Sequence, residues 1–101
     1  MLFATLQEKK RLFRKFNVVT PEGIFEVVYD GMGMGRELVL VEGEIVATTS
    51  SDLHSGKTWF MPKFKFKIGS FLAVIKVNVG WLMAIDSFSL EVDGQQLYAE
   101  D

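Results

Sequence analysis

The strongest constraint on the fold is a run in which lysine takes every second position. Lys63, Lys65 and Lys67 alternate with Phe64, Phe66 and Ile68. In an extended strand successive side chains point to opposite faces, so this run sorts charge to one side and large apolar groups to the other. The alternation predicts a strand over 59–68, with Phe60, Phe64, Phe66 and Ile68 inward and Met61, Lys63, Lys65 and Lys67 outward. Pro62 cannot donate to a ladder, which predicts an edge position or a bulge. Gly69-Ser70 has the length of a two-residue hairpin loop. The following segment, 71–79, predicts a partner strand with Phe71, Ala73, Ile75, Val77 and Val79 on one face and Leu72 and Val74 on the other.

The same period recurs over most of the chain. Strands are expected at 24–30, 36–42, 45–49, 84–92 and 95–98, each rich in β-branched or aromatic residues. Over 84–92, Phe88, Leu90 and Val92 face inward and Ser87, Ser89 and Glu91 outward. Glu42-Gly43-Glu44 reads as a tight turn, and Asp93-Gly94 as a type I′ hairpin. Gly31-Met32-Gly33-Met34-Gly35 reads as a flexible hairpin loop and 50–57 as a polar loop, while Gly80 and Trp81 end a strand. Short strands with tight turns leave no room for crossover helices, so the sheets are antiparallel. Residues 4–16 read differently. They lack Gly and Pro, favour helix by composition, place Leu2, Leu6, Phe13 and Phe16 near one face, and carry Thr5 and Glu8 at capping-box spacing. A length of 101 residues with 49% hydrophobic side chains suits one domain. The expected fold over 1–101 is therefore all-β: an antiparallel β-sandwich of about seven strands (23–99) behind a short N-terminal amphipathic helix, the basic arm 1–16.

Several of these segments resemble the FAIM domain of the Fas apoptotic inhibitory molecule family. The matching stretches are Arg36-Glu37-Leu38-Val39-Leu40-Val41-Glu42-Gly43-Glu44, Trp59-Phe60 and Phe66-Lys67-Ile68-Gly69. They continue with Ala73-Val74-Ile75-Lys76-Val77-Asn78-Val79 and Phe88-Ser89-Leu90-Glu91-Val92-Asp93-Gly94-Gln95-Gln96-Leu97. The resemblance spans roughly 24–98 and rests on the order and spacing of hairpins. It implies a compact antiparallel β-sandwich without enzymatic activity. It also implies a role exerted through protein contacts, as in family members associated with protection from apoptosis and aggregation. Family proteins usually carry two such domains in tandem, whereas one fits here, and the arm 1–16 lies outside the pattern.

The net charge of −2 conceals an asymmetry. Residues 1–16 carry five basic side chains against one acidic, a local +4, and the remainder carries six basic against twelve acidic, a local −6. Such an arm folds back on its domain, pairs with a second copy or meets an anionic partner. Its interaction candidates are Lys10, Arg11, Phe13, Arg14 and Phe16, with Lys63, Lys65 and Lys67 forming a second basic row. Two readings of the arm stand open. Either Leu6, Phe13 and Phe16 pack on the sandwich or a second copy, or the phenylalanines enter a membrane interface while the basic residues meet anionic lipid.

Other chemistries find little support. The absence of cysteine excludes disulfides and thiolate sites, and a single His excludes a multi-His metal site, so no cofactor or metal is expected. Gly31 to Arg36 lacks the phosphate-loop pattern and leads into a strand rather than a helix. Ser50, Ser51, Asp52, His54 and Ser55 contain the residue types of a hydrolytic triad but crowd one polar loop, which reads as a solvated turn. The lysine row has its phenylalanines on the opposite face, and the body is acidic, both of which argue against nucleic acid. Trp59 and Trp81 read as core or interface anchors. No secretory signal is evident, and the apolar stretch 71–85 is shorter than a bilayer span and is broken by Lys76 and Asn78, so the expected location is cytoplasmic. The expected function is a non-enzymatic protein-interaction or self-association module, with a protein partner or a homo-oligomer. A peripheral membrane module using the basic helix is the alternative, and a small hydrolase the weakest reading.

Overall fold

The structure, a computed structural model, describes residues 2–33, 36–48, 63–80 and 84–100. These form nine strands: β1 Phe3–Lys10, β2 Phe13–Thr20, β3 Gly23–Gly33, β4 Arg36–Val41, β5 Glu44–Thr48, β6 Lys63–Ile68, β7 Phe71–Val79, β8 Ile85–Val92 and β9 Gln95–Glu100. They build two antiparallel sheets, one ordered β1-β2-β3-β4-β5 and the other β6-β7-β8-β9. Every ladder joins sequence neighbours, so each sheet is a meander. At the flanks β5 runs beside β6 and β1 beside β9, giving a sandwich-like body with its two sheets face to face.

One core fills the space between the sheets. Phe16, Val18, Val27, Tyr29, Val39 and Val41 enter it from the five-stranded sheet. Phe64, Phe66, Ile68, Ala73, Ile75, Val77, Phe88, Leu90 and Val92 enter from the other. The Phe16 and Phe88 rings stack across the gap with centroids 5.6 Å apart, and the Tyr29 and Phe88 rings meet edge to face at 5.5 Å. Rings in these offset and edge arrangements align the negative face of one with the positive rim of the other. The alternation expected of 63–68, 71–79 and 84–92 is present, with lysines, serines, Leu72 and Val74 outward and the remaining aromatic and aliphatic residues inward. The two expected tight turns take left-handed backbone at both central positions, Glu42 (φ 52) with Gly43 (φ 83) and Asp93 (φ 54) with Gly94 (φ 80). That geometry matches the strand twist, and glycine adopts it without a Cβ penalty.

The N-terminal helix is the main correction. Residues 3–20 form the β1–β2 hairpin, which pairs onto β3 and enlarges the expected sheet by two strands. Period two is present in β2, but the inward positions are Arg14, Phe16, Val18 and Thr20. A charged and a hydroxyl residue therefore occupy core-facing sites while Phe13 and Val19 lie outside, which hides the alternation in a reading of apolar residues alone. The turn at Arg11 and Leu12 also lacks Gly, Pro, Asn or Asp, so nothing in composition punctuates it. Helix propensity amounts to a few tenths of a kcal/mol per residue, and pairing to β3 with burial of Phe16 and Val18 outweighs it. The membrane reading loses the helix that was to carry it. No helix among the described residues is long and apolar enough to cross a membrane.

The hairpin's share in the core is directly measurable. Phe16→Ala is expected to cost about 3–5 kcal/mol in denaturant unfolding, as for other buried phenylalanines, and Phe13→Ala on the outer face clearly less. An appended arm would leave both variants near wild type.

Candidate functional site

Arg14 is 3% exposed and points into the core from β2. A cation there requires a counter-charge and a full set of acceptors. Glu100 at the end of β9 supplies the charge. The guanidinium grips it with two bonds, Nε to Oε2 at 2.6 Å and Nη2 to Oε1 at 2.9 Å. Nη1 donates to the carbonyls of Lys10 at 2.5 Å and Phe13 at 2.8 Å. Lys9 Nζ stands 3.5 Å from Glu100, and the Tyr98 hydroxyl donates to it at 2.6 Å. These donors, the Arg14 bond first, hold the Glu100 carboxyl at about 2, below its ordinary 4.5. The Glu100 bond likewise raises Arg14, and burial followed by the Glu100 bond lifts Tyr98 to about 12. Tyr29, buried, donates to Glu37 and is pushed upward by burial first and that bond second. Every buried side-chain nitrogen and oxygen among the described residues has a partner. This cluster ties the first hairpin to the last strand.

The outer face of the four-stranded sheet differs. Register places Lys63 opposite Lys76, Lys76 opposite Ser89, and Ser89 opposite Ala99, one row across all four strands. Asn78 opposite Ser87 forms the next row. Lys63, Lys65, Lys67 and Lys76 are exposed, and none has an ion-pair partner among the described residues. The short side chains of Ser87, Ser89 and Ala99 leave an open cleft of about 510 Å³, with Lys63, Lys76, Asn78 and Gln96 also lining it and Glu100 contributing to its wall. Like charges directly opposite repel each other, and here nothing in the described chain offsets them. The cleft is rich in donors, and its carboxylate, Glu100, is already bound by Arg14 and Lys9.

The structure divides the eight expected contact residues into three sets. Arg14 and Phe16 are buried within the fold, Phe16 packing on the sandwich as one of the two readings of the arm expected, and Arg14 entering the core as an ion-pair partner. Lys10, Arg11 and Phe13 sit at or beside the first hairpin turn. Lys10 pairs with Glu8 at 3.1 Å and lies 5.3 Å from the centre of the Phe13 ring, while the Arg11 carbonyl accepts from the Ile85 amide at 3.3 Å. Lys63, Lys65 and Lys67 are exposed as expected, and the fold gathers Lys76, Ser87, Ser89 and Gln96 around the same cleft as Lys63. The signal for Lys76 and Asn78 was present as two polar interruptions, two residues apart, in an apolar strand. Ser50, Ser51, Asp52, His54, Ser55, Trp59 and Trp81 lie outside the described residues. Comparison with protein-family models, curated proteins and solved structures gave no match.

Two measurements check the site's energetics. Glu100→Gln strands the Arg14 charge and is expected to cost about 3 kcal/mol, the low end for a broken buried pair because Glu100 keeps partial contact with water. Because the Glu100 carboxyl is depressed in the folded state, its contribution is complete above pH 4.5 and fades as pH falls towards 2. In the variant, the slope of stability against pH is expected to flatten within that window. Lys76→Ser removes the opposed charge and is expected to stabilise the fold by roughly 0.2–1 kcal/mol in thermal or denaturant unfolding.

Proposed function

We propose that the chain is a non-enzymatic protein-interaction or self-association module, a β-sandwich of the FAIM kind. The carrying observation is that the outer face of the five-stranded sheet keeps apolar rows in water. One row is Phe3, Val19 and Ile24, in register across β1, β2 and β3, with Phe3 47% and Ile24 65% exposed. The other is Val28, Leu40 and Ile45, in register across β3, β4 and β5, with Ile45 59% exposed. Contiguous apolar rows framed by charge are the surface type through which proteins associate. Glu26, opposite Asn17, lies between the two rows and pairs at 3.4 Å with Lys15, which stands opposite Val28, and this gives the face a polar divide. The resemblance over 24–98 to a family acting through protein contacts supports the same reading. So does the buried polar cluster, whose groups are committed to one another.

Light scattering on the full chain across a concentration series tests this. The expected result is a mass above that of one 11.4 kDa chain, returning to one chain in Ile24→Lys and Ile45→Lys. Unchanged assembly in both variants would remove these rows from the contact, and a single-chain mass throughout would end the self-association form of the proposal.

A further inference from the structure

We propose that the cleft on the outer face of the four-stranded sheet binds an extended acidic peptide segment of a partner protein. This rests on the interaction-module reading but uses the opposite face of the molecule. Three observations carry it. The first is charge: Lys63 and Lys76 stand directly opposite each other, with no ion-pair partner among the described residues, and Lys65 lies further along β6. An arrangement that costs stability in the isolated chain is neutralised when one carboxylate group sits between two ammonium groups.

The second is spacing. Lys76 and Asn78 on β7, and Ser87 and Ser89 on β8, are each two residues apart on the outward face. Donors therefore repeat along the cleft about every 6.6–6.8 Å, twice the strand rise. Acidic side chains at alternate positions of an extended peptide repeat at the same interval. The third is shape and composition. About 510 Å³ exceeds the need of a lone phosphate or carboxylate, and the short side chains of Ser87, Ser89 and Ala99 are part of its lining. Phe64 and Phe66 are buried on the other side of β6, so the lysines have no aromatic platform between them on which nucleic-acid bases would stack. Glu91, one row along on this face in the row of Lys65 and Val74, favours an acidic side chain towards the Lys63 end.

The test is fluorescence anisotropy of the full chain with a short labelled peptide of alternating Glu and Thr, at low and at moderate salt. Binding is expected to the Glu peptide and to be lost when Gln replaces Glu. The double variant Lys63→Gln/Lys76→Gln is expected to weaken it by about tenfold or more, as loss of charge-assisted bonds does. Ser89→Ala is expected to weaken it several-fold, and Lys67→Gln, outside the cleft, to leave it unchanged. An equal loss in Lys67→Gln and in the double variant would mean diffuse attraction and overturn the proposal, as would no binding of the Glu peptide. Tighter binding of a single-stranded oligonucleotide or of anionic phospholipid vesicles would also overturn it. Absence of peptide binding together with intact self-association in light scattering would reject the cleft alone and leave the module reading standing.

Discussion

The two-pronged bond between Arg14 and Glu100 is the constraint on which the two-sheet arrangement depends. A guanidinium placed on the inner face of one sheet has no water to solvate it, so a carboxylate must come to it from the other sheet. Glu100 lies 86 positions away along the chain, and their pairing brings the last strand against the first hairpin. Phe16 and Phe88 stack beside the pair, with Arg14 6.0 Å from the Phe88 ring centre. The aromatic rings cover the guanidinium side of the bond, while Glu100 keeps partial contact with water. At the other end of the molecule a lighter link does related work. Glu22, in the β2–β3 turn, accepts from the Ser70 amide at 2.9 Å and hydroxyl at 2.6 Å, in the β6–β7 turn.

With the inner faces occupied by each other, both outer faces are left to solvent, and they are chemically unlike. The five-stranded sheet carries apolar rows divided by an ion pair, and the four-stranded sheet carries, beside hydroxyls, lysines without an ion-pair partner among the described residues. The contrast follows from register, because each row is one residue per strand read across the ladder. A slip of one residue in β6 would exchange lysine for phenylalanine along the whole strand. The same pairing that buries Phe64 and Phe66 therefore sets Lys63 against Lys76. Lysines on an edge strand also discourage strand-to-strand aggregation.

Much of this was written locally in the chain. Alternation in 63–68, 71–79 and 85–92 showed which residues enter the core, and Asp93-Gly94 and Glu42-Gly43 marked their turns, because these depend only on strand geometry and on which residues tolerate positive φ. The first twenty residues misled for an equally local reason. Lysine, arginine, glutamate and leucine favour helix in isolation, the turn at Arg11 and Leu12 carries no turn-forming residue, and an inward arginine breaks the apolar pattern. What reversed the preference was a neighbouring strand, β3, offering backbone partners and a core to fill.

The sequence by itself thus determined the strand class, the sidedness of three segments and the absence of thiol chemistry, since each follows from side-chain identity and period. The tertiary structure alone decided that Arg14 is a buried tie rather than a surface contact, that 3–20 is sheet, and that Lys63 shares a cleft with Lys76, Ser87 and Ser89. Those facts depend on which strand lies beside which, and on contacts between residues far apart in the chain, where the energy of pairing and burial exceeds any local preference.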